Sequence, residues 1–180
     1  MKFLKNYFNR SYILLIILVM NLFFYQFAVM EYKSYKFLVE NRNVDLLEIL
    51  DSKLIINRTY EDVMIRLLDS RQLDLANQFA LKLVNNDILC GPAYYVKSVY
   101  YESIKDGARA RSEIQKALKI DKFNDTYLIA ASVIELRYGD INVAKNYLEK
   151  AKLINPNRPA LQRVETLIKQ QVMENTGVKN

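Results

Sequence analysis

The chain has 180 residues, a formal net charge of +6, one cysteine, four glycines and no histidine. Without histidine it lacks the commonest general base and the commonest neutral metal ligand, and one cysteine forms neither a disulfide framework nor a thiolate-rich metal site. Four glycines are too few for a phosphate-cradling loop, and the mild, dispersed charge argues against nucleic-acid binding. We therefore expect no enzymatic activity, no catalytic or metal-ligating residue, no cofactor and no small-molecule substrate.

The first predicted element is a membrane-spanning helix. Residues 1–10 form a basic tail with Lys2, Lys5 and Arg10 and no acid, and the next twenty residues, 11–30, carry no charge. As a helix such a segment is about 30 Å long, which matches the hydrocarbon core of a bilayer. A cleavable signal peptide is the alternative, but its apolar core is usually only about 7–15 residues long and no small-x-small cleavage site follows here. A retained anchor is the preferred interpretation.

The basic residues on the two sides of this segment give a weak preference for its orientation. The acid-free tail favours a cytoplasmic N-terminus, because basic flanks tend to stay in the cytoplasm. Lys33, Lys36 and Arg42 follow on the other side and nearly balance this preference. Since the composition, rich in Lys, Asn, Ile and Tyr, fits a bacterial protein, we expect a single-pass protein of the bacterial inner membrane. Its remaining residues are then on the periplasmic side.

Two amides interrupt the apolar segment. Gln26 lies beside Tyr25 near one end, where an uncharged polar side chain is tolerated. Asn21 lies deeper, where an unpaired amide is unfavourable. Asn21 is therefore either tolerated in the same way or donates a hydrogen bond to another membrane helix, and it is the candidate contact residue of the span.

Residues 31–56 are predicted as a helical connector that follows the span. Two stretches, 32–38 and 44–50, have helical patterns, and Asn43 and Asp45 between them mark a candidate helix start. No Gly/Ser-rich linker separates the span from the rest of the chain.

The dominant pattern after the connector is a repeat of 34 residues, marked by Ala76, Ala110 and Ala144. A fixed period of this length predicts stacked helical hairpins, and small residues are needed where two helices cross at short range. Aligning residues 91–124 with 125–158 pairs Ser98 with Ser132, Asp106 with Asp140, Ala110 with Ala144, Lys116 with Lys150, Ala117 with Ala151, Ile120 with Ile154 and Asp121 with Asn155. The register therefore predicts three hairpins, over residues 57–90, 91–124 and 125–158.

These hairpins resemble tetratricopeptide repeats, whose pattern combines bulky residues, small residues at the crossings and a late proline. Residues 125–158 match it with Leu128, Ala131, Ser132, Ala144, Leu148, Ala151 and Pro156. Residues 91–124 match with Tyr94, Ser98, Tyr101, Ala110, Ile114 and Ala117, although Lys122 replaces the proline. Residues 57–90 match only with Tyr60, Leu67, Ala76 and Ala80, because Met64 and Leu83 are larger than the pattern prefers. The resemblance implies an all-α solenoid of two-helix repeats; an unrelated α-hairpin bundle is the alternative.

Local signals agree with this register. Asp106-Gly107 and Gly139-Asp140 interrupt the apolar pattern where the turn inside a hairpin is expected. Residues 159–174 are predicted as a capping helix that covers the end of the solenoid, and residues 175–180 as a disordered tail. The capping helix has an apolar face of Leu161, Val164, Leu167, Ile168 and Val172 and a polar face of Arg158, Arg163, Lys169 and Gln170.

The resemblance also implies where a partner binds. In tetratricopeptide arrays the first helix of each hairpin lines a concave groove, mainly through the second, fifth, ninth, twelfth and thirteenth positions of the repeat. Carried over onto this sequence, these positions give an apolar strip of Tyr95, Val99, Ile129, Val133 and Leu136, flanked by Glu102 and Arg137. An apolar groove with a charged rim suits an amphipathic helix or an extended segment, and Tyr95 is the expected aromatic anchor. The alternative is that residues 31–56 fill the groove.

The sequence favours a membrane-anchored adaptor that binds a protein partner in a bacterial envelope assembly, such as a pilus, secretion or polysaccharide machine. The family's carboxylate-clamp subtype, which captures acidic C-termini of chaperones, is not matched, because Glu61 and Ile65 replace its basic and amide residues. The alternative function is a small accessory subunit that regulates a membrane enzyme or transporter through its transmembrane helix. The densest basic stretch, Lys105, Arg109, Arg111, Lys116 and Lys119, is interpreted as a solvated helix face, with contact to acidic lipid or an acidic partner as the alternative.

Overall fold

The computed structural model describes residues 2–40, 57–86 and 90–176, and every regular element in these ranges is an α-helix. The described residues form eight helices: α1 (Lys2–Glu40), α2 (Asn57–Asp69), α3 (Leu73–Asn86), α4 (Gly91–Ser103), α5 (Gly107–Ile120), α6 (Asp125–Tyr138), α7 (Ile141–Ile154) and α8 (Pro159–Thr176). The predicted all-α fold is confirmed. The chain divides into two compact units, Met1–Val63 and Met64–Asn180.

The N-terminal unit contains one long apolar helix. Within α1, Tyr12–Lys33 is long and apolar enough to cross a membrane, by length and composition. Its 22 residues correspond to about 33 Å of helix, and most of its large apolar side chains are exposed. The predicted span, 11–30, falls on this segment and ends before Glu31. Residues 31–40 of the predicted connector continue the same helix, whereas residues 41–56, with the candidate start at Asn43 and Asp45, lie outside the described residues.

The helices of the repeat region begin at a constant interval. The first helices of the three predicted hairpins, α2, α4 and α6, begin at residues 57, 91 and 125, and the second helices, α3, α5 and α7, begin at residues 73, 107 and 141. Both series advance by 34 residues per hairpin. Helix α8 begins at residue 159, one further period after α6. It therefore starts where the first helix of a fourth hairpin would start.

Side-chain caps define the starts of three helices. Asp106, Asn124 and Asp140 accept hydrogen bonds from backbone N–H groups in the first turns of α5, α6 and α7. These bonds satisfy donors that have no partner inside the helix. Gly107 follows the first of these caps, and a Cβ added to it would lie only 2.7 Å from the Cβ of Tyr138 on α6. Glycine is thus needed at this position for the close approach of neighbouring hairpins.

Small residues lie at the helix crossings of the C-terminal unit. Ala76, Ala110 and Ala144, which mark the period, are fully buried. Ala110 belongs to one core with larger side chains from α4 to α8, which include Tyr94, Ile114, Leu118, Tyr127, Leu128, Ile134, Leu148, Leu161, Val164 and Ile168. Met64 and Leu83, which are larger than the repeat pattern prefers, are also fully buried. The weakest repeat therefore keeps these core positions but fills them with larger side chains.

Helix α8 packs against both helices of the third hairpin. It buries Leu161, Val164 and Ile168 from its predicted apolar face, and Val172 is half-buried beside them. Leu167, predicted on the same face, is 41% exposed. One apolar residue of α8 therefore lies outside the core and is available to line another surface.

The two ends of α8 depart from the sequence-based expectation. Arg158, predicted on the polar face, donates a hydrogen bond of 2.7 Å from Nη1 to Asp125 Oδ2 in the first turn of α6. At the other end the helix continues to Thr176, so Asn175 and Thr176, predicted in a disordered tail, are helical. Residues 177–180 of that predicted tail lie outside the described residues.

Candidate binding groove

A cavity of about 250 Å³ lies between α6 and α8. Three of the seven predicted groove residues line it from α6: Val133, Leu136 and Arg137. Four residues line it from α8: Leu167, Gln170, Gln171 and Glu174. Leu167, Gln170 and Gln171 follow Val133, Leu136 and Arg137 by 34 residues each. Equivalent positions of two neighbouring helices thus form the two walls of one cavity.

The α8 wall is missing from the sequence-based groove, which ends with the third repeat. The 34-residue register of the sequence could have predicted this second wall. Continued one period beyond residue 158, the ninth, twelfth and thirteenth positions fall on Leu167, Gln170 and Gln171. Helix α8 therefore does two things: one side covers the core of the third hairpin, and another side extends the groove.

The two charged residues predicted to flank the apolar strip form an ion pair with each other. The pair joins Glu102 Oε1 on α4 to Arg137 Nη1 on α6. The Glu102 side chain is mostly buried, whereas that of Arg137 is half-exposed. The ion pair holds together the first helices of two neighbouring hairpins at the edge of the cavity, and its two charges compensate each other.

Tyr95 is more deeply packed than an exposed anchor would be. Its ring stacks on that of Tyr127, with centroids 5.5 Å apart and an angle of 29° between the planes, and its side chain packs against the core. Burial raises the pKa of Tyr95, the charge of Asp69 raises it further, and the charge of Arg158 opposes both effects. The neutral phenol is therefore favoured, and Tyr95 contributes to packing between the second and third hairpins.

The other two residues of the predicted strip, Val99 and Ile129, are half-buried. Ile129 packs against the core, and neither residue lines the cavity between α6 and α8. Val133 and Leu136 also pack against the core, but they line the cavity as well, so only this part of the predicted strip opens onto it. In the alternative interpretation residues 31–56 fill the groove, and of these residues the structure describes only those up to Glu40, as part of α1.

Asn21 forms a hydrogen bond within its own helix. Its Nδ2 atom donates to the backbone carbonyl oxygen of Ile17 at 2.8 Å. This bond satisfies one donor of the amide within its own helix.

Two residues of the densest basic stretch compensate buried carboxylates. Arg111 Nε lies 3.0 Å from Glu135 Oε1, and Lys116 Nζ lies 2.7 Å from Glu113 Oε1. Glu113 and Glu135 are both buried. Since a buried carboxylate is stable only with a partner, these two basic residues have a structural role.

Solved structures of other proteins share this arrangement of helices. The Arabidopsis OM64 TPR domain superposes with a TM-score of 0.57 at 13% sequence identity, over 63% of this chain and 94% of that chain. The first TPR domain of Spaghetti (RPAP3), solved with an HSP90 peptide bound, gives a TM-score of 0.57 at 15% identity, over 64% of this chain and 92% of that chain. A structure of MamA (MSR-1 C2) gives a TM-score of 0.62 at 14% identity, over 84% of this chain and 87% of that chain.

No protein-family model and no curated protein sequence matches the chain. At identities of 13–15% the structural similarities show the fold alone. They confirm the predicted tetratricopeptide-repeat fold.

Proposed function

We propose that this protein is a membrane-anchored adaptor that binds a segment of a protein partner between α6 and α8. The observation that carries the proposal is the cavity whose walls are equivalent positions of these two helices. Val133, Leu136 and Leu167 supply apolar contact area, and the amides of Gln170 and Gln171 supply hydrogen-bonding groups. This combination suits an amphipathic helix or an extended segment.

In this proposal the residues of α4 hold α6, which forms one wall of the groove, in place. Glu102 holds α4 to α6 through its ion pair with Arg137, and Tyr95 does so by stacking on Tyr127. Val99 and Ile129 complete the strip between these two contacts. A helix that is held at two points keeps the groove preformed, which lowers the entropic cost of binding.

The anchor in this proposal is Tyr12–Lys33 of α1. The acid-free tail with Lys2, Lys5 and Arg10 supports a cytoplasmic N-terminus, with the repeats on the periplasmic side of a bacterial inner membrane. We expect the partner to belong to a membrane-associated envelope complex, such as a pilus, secretion or polysaccharide machine.

The fold supports a peptide segment as the partner, and two residues argue against an acidic C-terminus. The RPAP3 domain was solved with a bound HSP90 peptide, which is a precedent for peptide binding by this fold. Glu61 and Ile65 stand where the clamp for acidic C-termini has a basic residue and an amide. We therefore expect the partner to present an internal amphipathic segment, and we expect an adaptor without enzymatic activity.

The test compares two substitutions at equal exposure. Leu167 lines the cavity and Val143 on α7 does not, and both are 41% exposed. The full-length protein is purified in mild detergent and its co-purifying proteins are identified by mass spectrometry. A specific partner is recovered with the wild type and with Val143→Glu and is lost with Leu167→Glu, while circular dichroism shows equal helicity in both variants. Undiminished recovery with Leu167→Glu would exclude the groove as the binding site.

The accessory-subunit alternative predicts a different outcome. It requires the span to contact another membrane helix, whereas the Asn21 amide already bonds to Ile17. Replacing residues 11–30 with an unrelated apolar helix leaves partner recovery intact if the protein is an adaptor. Loss of the partner after this exchange, with Leu167→Glu harmless, supports the accessory subunit.

A further inference from the structure

A second surface of the repeat domain combines exposed apolar and basic side chains. Phe123, in the turn after α5, and Leu153 and Ile154, at the end of α7, line a cavity of about 300 Å³ together with Lys122 and Lys150. Phe123 is 67% exposed and Leu153 is 85% exposed. We call these five residues the lysine-flanked patch.

The lysine-flanked patch is separate from the groove. It is formed by the end of α7 and by the turn after α5, whereas α6 and α8 line the groove. Side chains as exposed as Leu153 and Phe123 contribute little to the core. A cluster of large apolar side chains at the surface indicates a binding or membrane-contact surface.

The charge at the patch is positive. Within residues 90–176 neither Lys122 nor Lys150 forms a salt bridge. Instead each ammonium lies over an aromatic ring, Lys122 at 5.0 Å from the centroid of Phe123 and Lys150 at 5.7 Å from that of Tyr147. The two lysines thus differ from Arg111, whose charge is paired with that of the buried Glu135.

Two acidic residues adjoin the patch lysines in sequence, Asp121 beside Lys122 and Glu149 beside Lys150, and Glu149 pairs with Lys152. Asp121 Oδ1 accepts a hydrogen bond of 3.1 Å from the backbone N–H of Phe123, and its other oxygen accepts one from the side chain of Asn124. Lys119, which is exposed in the last turn of α5, adds a third positive charge in this region. The lysines of this region outnumber its two acidic residues, one of which is already paired, so the balance of charge favours an anionic partner surface.

We propose that the lysine-flanked patch docks onto a bilayer surface that contains anionic lipid. Phe123, Leu153 and Ile154 enter the boundary between head groups and acyl chains, while Lys122 and Lys150 contact the negative head groups through their long, flexible stems. Each lysine near an anionic surface contributes about 1 kcal/mol, which corresponds to roughly a fivefold change in binding.

The candidate span in α1 makes this docking effective even if the patch binds lipid weakly. A chain anchored by Tyr12–Lys33 keeps its repeat domain next to the same bilayer, so the patch binds at a high local concentration. Because different helices form the patch and the groove, docking leaves the cavity between α6 and α8 accessible to a protein partner.

The experiment places a fluorescent probe in the patch of the full-length chain. In a Cys90→Ala background, Leu153→Cys is labelled with an environment-sensitive dye, and Val143→Cys provides the matched control site on the same helix. Both proteins are reconstituted into vesicles of phosphatidylcholine alone or of phosphatidylcholine mixed with phosphatidylglycerol, each with and without a nitroxide-bearing lipid. We expect blue-shifted emission and strong quenching at position 153 in the anionic vesicles, and neither effect at position 143.

Charge reversal identifies the source of the interaction. Lys122→Glu with Lys150→Glu should abolish the quenching at position 153 while leaving circular dichroism unchanged, because both side chains lie outside the core. Quenching at position 153 no greater than at position 143 overturns the proposal and points to a protein as the occupant of the patch. Equal quenching in phosphatidylcholine alone overturns the role of anionic lipid. These readouts use no protein partner, so they are independent of the groove.

Discussion

The hydroxyl of Ser132 on α6 donates a hydrogen bond of 2.8 Å to the backbone carbonyl oxygen of Ala144 on α7, and both residues are fully buried. A serine side chain reaches the backbone of another helix only where the two helices cross closely. In the second hairpin the equivalent Ser98 donates instead to the carbonyl oxygen of Tyr95 in its own helix, at 2.6 Å. Both crossings thus share a buried serine and a buried alanine, and only the acceptor of the serine hydroxyl differs.

Enlarging these alanines should destabilise the fold. We expect Ala110→Leu and Ala144→Leu each to lower the free energy of unfolding by about 1–3 kcal/mol, the usual effect of overpacking a filled core. Ala108→Leu, at an exposed position of α5, should have a much smaller effect. Urea unfolding of the full-length protein in mild detergent, followed by circular dichroism, measures all three. Equal losses at the three positions would contradict the 34-residue register.

The register explains why the fold follows from the sequence. Alanine at the crossings and the caps at Asp106 and Asp140 are each required by contacts inside one hairpin or between adjacent hairpins. The alanine recurs in all three repeats and the Asp cap in the last two, so they leave a periodic trace that can be recognised without knowing the three-dimensional structure.

The groove follows from the sequence only in part, because it depends on which side chains meet across hairpins. Tyr95 occupies a groove position, yet its ring stacks on Tyr127 of the next hairpin and becomes part of the packing. Leu167 belongs to a helix with no second helix in the described residues, and its periodicity alone fits the apolar face of a cap. Neither the stacking partner nor the second wall is visible in a single repeat.

The ion pair between Arg111 and Glu135 gives a second prediction. Arg111→Ala leaves a buried carboxylate without its partner, so we expect a loss of about 1–3 kcal/mol in the free energy of unfolding. Arg109→Ala is the matched control, because Arg109 pairs with Asp106 at the surface of the same helix, and it should have a much smaller effect.

Adding Glu135→Gln to Arg111→Ala should restore part of the lost stability, since a neutral amide needs no counter-charge. The same denaturation measurement tests this. If Arg111→Ala and Arg109→Ala are equally mild, Glu135 does not depend on Arg111.

Asp125 gives a prediction about acid. Desolvation raises the pKa of Asp125, but hydrogen bonds from Arg158 and Asn155 and the charge of Arg158 outweigh it, so the pKa lies below its usual value. A lowered pKa in the folded state contributes stability above the unfolded pKa of about 3.9, and this contribution is lost as the pH falls through the folded pKa. Asp125→Asn should therefore be less stable than the wild type at neutral pH, and the two should converge below about pH 4.

Urea unfolding at a series of pH values measures this convergence. Other carboxylates with lowered pKa values, such as Glu165, destabilise both proteins in acid, so only the difference between the two curves is informative. A difference that stays constant from neutral pH into acid would mean that Asp125 contributes through helix capping or packing and not through its charge.

The orientation of the span gives the last prediction. Lys2, Lys5 and Arg10 precede the apolar segment without any acid, and basic residues close to a span tend to stay in the cytoplasm. A reporter that is active only outside the cytoplasm, fused after Asn180, should therefore be active, and a reporter that is active only in the cytoplasm should be silent at the same site. Replacing the three basic residues of the tail with glutamine removes this bias and leaves that of Lys33 and Lys36, so it should lower the activity of the first fusion and raise that of the second. The opposite pair of activities in the unaltered chain would place the repeats in the cytoplasm.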